Sequence, residues 1–487
     1  MKNALNYLCA SLFVFITSCQ PSGEVFADAT CIENVAVVHP ENGLIENQTV
    51  IVQGEKILKV VPTKDLQLSP ENKIIDGTGK YLMPGLWDTH IHFAYIKELA
   101  PSMFDLFLGY GITSIRDTGG EIGYVKSWKD KALADPQNAP RVMIAGPLLD
   151  GIPNVYDGSS LARPPLSVGL ATEDAITKKL NQLDSLGVDL LKAYEMLTPE
   201  QFAQITKIAR EKGLKVTGHV PLSMDVISAS NAGMNSMEHM RNLELSCASN
   251  ADELWQQRLQ LLEAEKDSAG GVLRSKIHSL QREVAVKNYD DQKANEILKV
   301  LAKNETWQIP TLALSVVTTN KHFEKADWKE SLSYLPEAIE ERWLKGAQDY
   351  NQLEITDFRR QYSDWMINMV GKINEAEIDI MAGTDTPISL LTPGQSLHEE
   401  LVLLVKAGLT PLEAIKTATV NPAKYFNLQD ELGLVQEGMW ADMILLDANP
   451  LENIENTKTI NAVIKNGKFF NKKDLNVMLK RASNPVK

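Results

Sequence analysis

Along this chain the apolar positions follow three different rhythms. A continuous apolar run, "ALNYLCASLFVFI", stands near the start. After it come short runs rich in Val and Ile: "ATCIENVAVV", "NQTVIVQGEKILKVV" and "NKIIDGTGKYLMPG", broken by the turn pairs Gln53-Gly54 and Asp76-Gly77. β-Branched residues bounded by turn formers read as strands. The same style returns late in the chain, in "GMWADMILLDANP" and "INAVIKNGKFF". Residues 30–80 and 430–475 are therefore expected to pair into one small sheet domain.

Between these ends the pattern alternates. Strand-like runs fall at "LMPGLWDTHIH" (82–92), "GITSIRD" (111–117), "RVMIAGP" (141–147), "VDLLKAYE" (188–195), "LKVTGHV" (214–220), "SMEH" (236–239), "WQIPTLAL" (307–314) and "IDIMAGTD" (378–385). Helical patterns lie between them. Thr198-Pro199-Glu200-Gln201 and Thr410-Pro411-Leu412-Glu413 fit capping boxes with Pro at the first helical position. Gly187, Gly213, Gly233 and Gly408 sit where helices should stop. Eight strands alternating with helices predict an α/β fold, a (β/α)8 barrel over residues 81–429. Residues 241–300 are too long and charged for one connecting helix. They read as a helical insertion, either a lid or a packed surface hairpin.

The first apolar run is too short for a comfortable membrane span. It follows Met1-Lys2 and ends in "ITSC", which resembles the lipobox of bacterial lipoproteins. That resemblance implies a signal peptide at 1–18, lipid on Cys19, a tether at 19–29 and a place on the membrane of a bacterial cell envelope, on its periplasmic or surface side. A plain secretory signal is the alternative. With Cys9 and Cys19 so assigned, Cys31 and Cys247 remain, too few for a disulfide scaffold. Of the 487 residues, 44% are hydrophobic and 23% charged, as in ordinary globular proteins. The net charge of −14, with no basic stretch to offset it, excludes a general nucleic-acid binder.

Only eight histidines occur, and two of them, His90 and His92, are one residue apart. Residues two apart on a strand point the same way, so both can ligate one ion. In a barrel of this kind catalytic groups come from the C-terminal ends of strands. His90, His92, His219, His239 and Asp385 all fall at such ends and form a candidate metal set, with Lys192 late in the fourth strand. An ammonium among the apolar residues of "VDLLKAYE" is expensive, and burial frees the amine. Such an amine can take up carbon dioxide as a carbamate, an anionic ligand able to bridge two cations. The alternative is a lysine that snorkels outward or pairs with Glu195. Tyr194 points to the same side as Lys192, where it could donate to a carbonyl oxygen or a substrate carboxylate, or simply pack. Arg163 could meet an anionic substrate group, and His398 either reaches the site rim or packs in a helix. His39, His278 and His322 read as surface residues.

"MPGLWDTHIHF", "DLLKAY", "TGHV", "MEH" and "MAGTD", in that order, resemble the amidohydrolase superfamily, most closely its imidazolonepropionase/prolidase-like branch. "LHEELVLLVKAGLTPLEAIKTATVNPAKYFNL" and "GLVQEGMWADMILLDANPLENI" are similar to that branch too. The resemblance implies a barrel plus a β-sandwich formed by both chain ends. It implies two divalent ions, usually zinc: His90, His92 and Asp385 on one, His219 and His239 on the other, and carboxylated Lys192 between them. Two close cations bring a bridging water toward neutral acidity. Asp385 is then the catalytic proton carrier, and the reaction is hydrolysis of an amide bond, in a dipeptide (Xaa-Pro or another C-terminal residue) or an N-acyl amino acid. Other readings remain: a one-metal cyclic-amide hydrolase or deaminase, which needs no bridging carbamate, and a lipoprotein that binds a ligand without turnover. Expected partners are the small-molecule substrate and the membrane, with a homo-oligomer left open and nucleic acid excluded.

Overall fold

A computed structural model of the protein describes residues 23–485. Strands from both ends of the chain share one hydrogen-bonded sheet. Its order is Lys468–Asn471, Ile460–Lys465, Met443–Leu446, Tyr81–Pro84, Ala29–His39, Gly43–Gln53 and Lys56–Pro62, with Lys73–Asp76 also on Ala29–His39. The seam between the ends is Tyr81–Pro84. It runs antiparallel to Met443–Leu446, with Leu82 opposite Leu445, and parallel to Ala29–His39. Ile32, Val37, Val50, Leu82, Met443, Leu445 and Ile464 bury against one another across that seam. Alternation along each strand sends these residues to one face, and the shared apolar face is what holds the two ends together.

A second set of strands is wholly parallel. Leu86–Ile91, Ile112–Asp117 and Arg141–Ile144 form one sheet. Ser167–Gly169, Leu148–Asp150, Leu190–Ala193, Lys215–Gly218, Ser236–Glu238 and Trp307–Ile309 form another, in that order. The run expected as an eighth strand, 378–385, takes a looser form. It makes isolated parallel bridges to both sheets, Ile380 with Gln308 and Thr386 with Ile91. Met381 N–H donates to Gln308 O at 3.0 Å, and Asp385 N–H to His90 O at 2.7 Å. On the other side, Asp189 N–H donates to Ile144 O at 2.9 Å, tying Arg141–Ile144 to the approach of Leu190–Ala193.

Helices cover these strands and bury their apolar faces in one large core. Both expected capping boxes are present, Thr198 with Gln201 and Thr410 with Glu413. The expected helical insertion is present, and one strand-like run ends early. The insertion after Ser236–Glu238 is four helices, Leu243–Ser246, Ala251–Ala264, Gly270–Lys287 and Asp291–Lys303, and Leu273 and Ile277 pack inward on Leu222. The run read as "WQIPTLAL" is a strand only to Ile309. Thr311 turns left-handed (φ 46°), and a helix starts at Leu312. Further helices follow, ending with Asp357–Glu375. No helix among the described residues is long and apolar enough to cross a membrane.

Gly85 is the joint between the two sheets, since Tyr81–Pro84 belongs to one and Leu86–Ile91 to the other. A Cβ there would lie 2.2 Å from Thr113 Oγ1 and 2.5 Å from its Cγ2. Gly85→Ala should therefore cost about 1–3 kcal/mol, the usual range for overpacking. Thr113→Ala in the same chain should recover part of it, because both nearest atoms are gone. Urea midpoints of the single and double variants check this; a double variant no more stable than Gly85→Ala would show that the clash is not the cause.

Candidate metal and active site

The ends of the parallel strands converge on one cavity. His90 lies in Leu86–Ile91 and His92 one residue past it; His219 and His239 directly follow Lys215–Gly218 and Ser236–Glu238. The ring centroids stand 5.3 Å apart for His90 and His92, 4.7 Å for His90 and His239, and 4.9 Å for His219 and His239. Asp385 comes from the bridging segment, with left-handed backbone (φ 66°) that turns its carboxylate toward the rings. Its Oδ1 lies 3.3 Å from His90 Nε2 and 3.1 Å from His92 Nε2, and its Oδ2 3.6 Å from His239 Nε2. Ligand atoms of His90, His92 and Asp385 all fall within 4.8 Å of one another. Gly383 permits this approach, since a Cβ there would meet His90 Cβ at 2.8 Å.

Every one of these imidazoles is engaged at Nδ1. His90 bonds Glu238 Oε2 at 2.6 Å, His92 the Gly119 carbonyl at 3.1 Å, His219 Glu195 Oε1 at 2.5 Å and His239 Thr311 Oγ1 at 2.5 Å. Such bonds fix tautomer and ring plane and leave Nε2 for a ligand, the arrangement found behind metal-binding histidines. The carboxylates are themselves held. Glu238 accepts from Arg116 Nη2 at 2.8 Å and from the Thr217 hydroxyl. Burial opposes its charge, but Arg116, Lys192 and His90 hold it well below the usual carboxyl range. Both members of the Arg116–Glu238 pair are fully buried, and removing one partner of such a pair costs about 3–5 kcal/mol. Glu195 accepts from Arg274 Nε at 3.2 and 3.3 Å and bonds His278 Nε2 at 2.8 Å. Against burial, Arg274 and His278 hold it well below the usual range too. Burial lowers His219 to about 3 and His239 well below the ordinary imidazole value, so both rings are neutral and free to ligate.

Lys192 is 1% exposed in Leu190–Ala193, and its Nζ has no hydrogen-bond partner. The nearest carboxylate oxygen is Glu238 Oε1 at 3.8 Å, while Glu195, considered as its partner from sequence, is taken by His219, Arg274 and His278. Burial pushes the amine down to about 8. Asp385 Oδ1 is likewise buried without a hydrogen bond, despite its short distances to two Nε2 atoms. Imidazoles held at Nδ1 with Nε2 turned inward, a carboxylate oxygen close to two of those Nε2 atoms and buried atoms without partners are the donor set of a divalent cation site. The residues present therefore fit a metal at His90, His92 and Asp385.

The cavity, about 40 Å³, is also lined by Tyr194, Tyr156, Leu148, Leu166, Ile388, Arg241 and Arg274. Tyr194 is buried with its ring 4.4 Å from that of His219, and burial raises its phenol well above the usual value, so it stays protonated. Arg163 and His398 are not in this cavity. Arg163 donates to the Gly271 carbonyl at 3.0 Å, held at the first turn of Gly270–Lys287. His398 is buried in Gln395–Lys406, bonded to Thr457 Oγ1 at 2.9 Å and the Tyr110 carbonyl at 3.0 Å, which is the packing alternative. His39, His278 and His322, expected on the surface, are all buried, and His278 braces Glu195. Cys19 lies outside the described residues. Sequence reasoning missed Glu238, Arg116, Arg241 and Arg274, and it named Glu195 only as a partner for Lys192, not as the brace of His219. Only Glu238 carried a local signal, as the carboxylate immediately before a candidate ligand.

Over 101 residues the chain is 42% identical to the ochratoxinase of Aspergillus niger, a match covering 20% of each chain. It thus spans about one-fifth of that relative's length. An imidazolonepropionase of Shouchella clausii (strain KSM-K16) is 24% identical over 435 residues, 87% of this chain and 84% of the other. Among solved structures, a bottromycin amidohydrolase superposes with a TM-score of 0.68 at 19% identity, covering 93% of this chain and 91% of its own. A Xaa-Pro dipeptidase with bound methionine does so with a TM-score of 0.63 at 17% identity, covering 91% and 100%. These structures share the fold. The model of the Amidohydrolase family matches residues 81–470, the whole span that carries the strand-end residues, and the chain belongs to that family.

Proposed function

We propose that the protein is a two-metal hydrolase of small amides, either dipeptides (Xaa-Pro or another C-terminal residue) or N-acyl amino acids. In this reading the parallel strands close into a (β/α)8 barrel, with a β-sandwich built from both chain ends. The observation that carries it is the group of four imidazoles, each engaged at Nδ1, around a cavity that also holds the unpartnered Lys192 Nζ and Asp385 Oδ1. The likeness to a Xaa-Pro dipeptidase and to a bottromycin amidohydrolase supports the substrate class.

His90, His92 and Asp385 would hold one zinc ion, His219 and His239 a second, and carboxylated Lys192 would join them. When bound, the ions supply Lewis acidity toward a water and toward the scissile carbonyl. Asp385 accepts the proton that the attacking water gives up and returns it to the departing amine nitrogen. Tyr194 donates its phenolic hydrogen to the carbonyl oxygen as charge builds there. Leu148, Leu166 and Ile388 keep bulk water from the cavity and strengthen these bonds. Carboxylation itself needs the neutral amine. Its nitrogen bonds to the carbon of CO2, one C=O electron pair moves to oxygen, and an N–H proton leaves to solvent.

A second reading has one ion at His90, His92 and Asp385, with Lys192 an ammonium beside Glu238. The 3.8 Å contact between Lys192 and Glu238, and the compactness of the three-residue group, favour it. For the N-terminus we propose lipid on Cys19 and a place on the bacterial envelope, supported by "ITSC" after the apolar run.

Metal analysis separates the two readings. The wild type should carry about two ions per chain, and Lys192→Ala should lose the more weakly held one together with several orders of magnitude in turnover. Propionate or acetate should restore part of the rate by filling the vacated space. Two retained ions and near-normal hydrolysis in Lys192→Ala would refute the bridging role. The pH dependence follows from the lowered amine. In metal-stripped protein, at fixed dissolved CO2 and added zinc, the reactivation rate should rise with pH up to about 8 and then level off, because only the neutral amine attacks CO2. A rate that is flat between pH 6 and 9 would argue against carboxylation. For the anchor, Cys19→Ala should release the protein from membranes, and mass spectrometry of the mature chain should find acyl groups on Cys19; a mature N-terminus elsewhere without lipid would end that proposal.

A further inference from the structure

Two arginines line the cavity from regions the strand-end motifs do not explain. Arg241 stands two residues past His239, on a turn with left-handed backbone at His239, Met240 and Asn242 (φ 59°, 52° and 67°). Arg274 comes from Gly270–Lys287, within the helical insertion. Their situations differ. Arg274 already gives its Nε to Glu195. The Arg241 side chain makes no ion pair among the described residues, and its Nε is buried without a hydrogen-bond partner. It lines the same cavity as Lys192, Tyr194, His219 and His239.

A guanidinium with an idle, buried donor is costly until an acceptor arrives. No nearby carboxylate answers it: Glu238 is taken by His90 and Arg116, Glu195 by His219, Arg274 and His278, and Asp385 turns toward the Nε2 atoms of His90, His92 and His239. The acceptor must come with the substrate. A planar guanidinium fork matches a carboxylate with two parallel bonds, which a neutral amide cannot reproduce. Leu148, Leu166 and Ile388 supply apolar wall on the same cavity, suited to a hydrophobic side chain beside that carboxylate.

We propose that Arg241 anchors the free α-carboxylate of the substrate's C-terminal residue, an apolar amino acid, and so restricts the protein to acyl-amino acids and peptides with a free acid end. This rests on the hydrolase reading above and deepens it.

The test uses the metal-loaded full chain and a set of N-acetyl amino acids and dipeptides with apolar C-terminal residues, each as free acid and as carboxamide. The wild type should favour the acids in kcat/KM on the order of 100-fold, the scale of a desolvated charge pair. Arg241→Met should keep its metal and its melting temperature yet bring the acid-to-amide ratio toward one, chiefly through KM. Arg241→Lys should fall between, keeping charge without the fork. An acid preference that survives in Arg241→Met, or its absence in the wild type, overturns the proposal. Should neither set be hydrolysed, the hydrolase reading fails and calorimetry decides the anchor alone. Tighter binding of N-acetyl-L-phenylalanine than of its carboxamide, lost in Arg241→Met, supports it; equal binding of both by the wild type overturns it.

Discussion

The Nδ1 hydrogen bonds of His90, His92, His219 and His239 are what the centre of this protein depends on. A buried ring that is free to turn would spend part of its time with the wrong nitrogen inward, and no cation site survives that. Each bond removes the freedom, but two of them are made by carboxylates that are themselves buried. Glu238 and Glu195 are tolerable in the interior only because Arg116 and the pair Arg274 and His278 answer their charge. A buried polar network of this sort is stabilising when complete and expensive when broken anywhere. The requirement therefore spreads outward from four imidazoles to arginines on Ile112–Asp117 and on the insertion helix.

The fold meets that requirement with adjacent residues doing different jobs. Glu238 and His239 follow one another at a strand end, one supporting His90 and the other facing Asp385. Lys192, Tyr194 and Glu195 leave Leu190–Ala193 in close succession, the first two into the cavity and the third beneath His219. The sheet formed by the chain ends enters through Gly85, so the strand bearing His90 and His92 is fixed at its root by pairing far from the chemistry.

How much of this was legible follows from range. His90 and His92 could be read because strand alternation is local, and His219, His239 and Asp385 because each ends a short apolar run. Lys192 stood out as a charge among apolar neighbours. Most of the parallel strands were equally readable, but Leu148–Asp150 and Ser167–Gly169, three residues each, were not, Thr311 turns left-handed and cuts another short, and 378–386 makes bridges in place of a ladder. What no local pattern carries is the partner across the fold. Arg274 and His278 lie 79 and 83 positions from Glu195 in sequence, inside amphipathic helices where an Arg or His usually faces water. Arg163 misleads for the converse reason: it is polar and follows a strand in sequence, yet the turn onto Gly270–Lys287 carries it elsewhere, while His398 packs in the helix Gln395–Lys406, the second of its two readings.

The salt bridge from Arg274 to Glu195 ties the wall of the cavity to a candidate ligand. A space of about 40 Å³ holds a few water molecules, so any occupant the size of two amino acids has to displace something, and the helix Gly270–Lys287 is part of what surrounds it. That helix therefore has two duties at once: Arg274 closes one side of the cavity and, by holding Glu195, keeps the ring of His219 in its plane, so the wall and the imidazole cannot be altered independently.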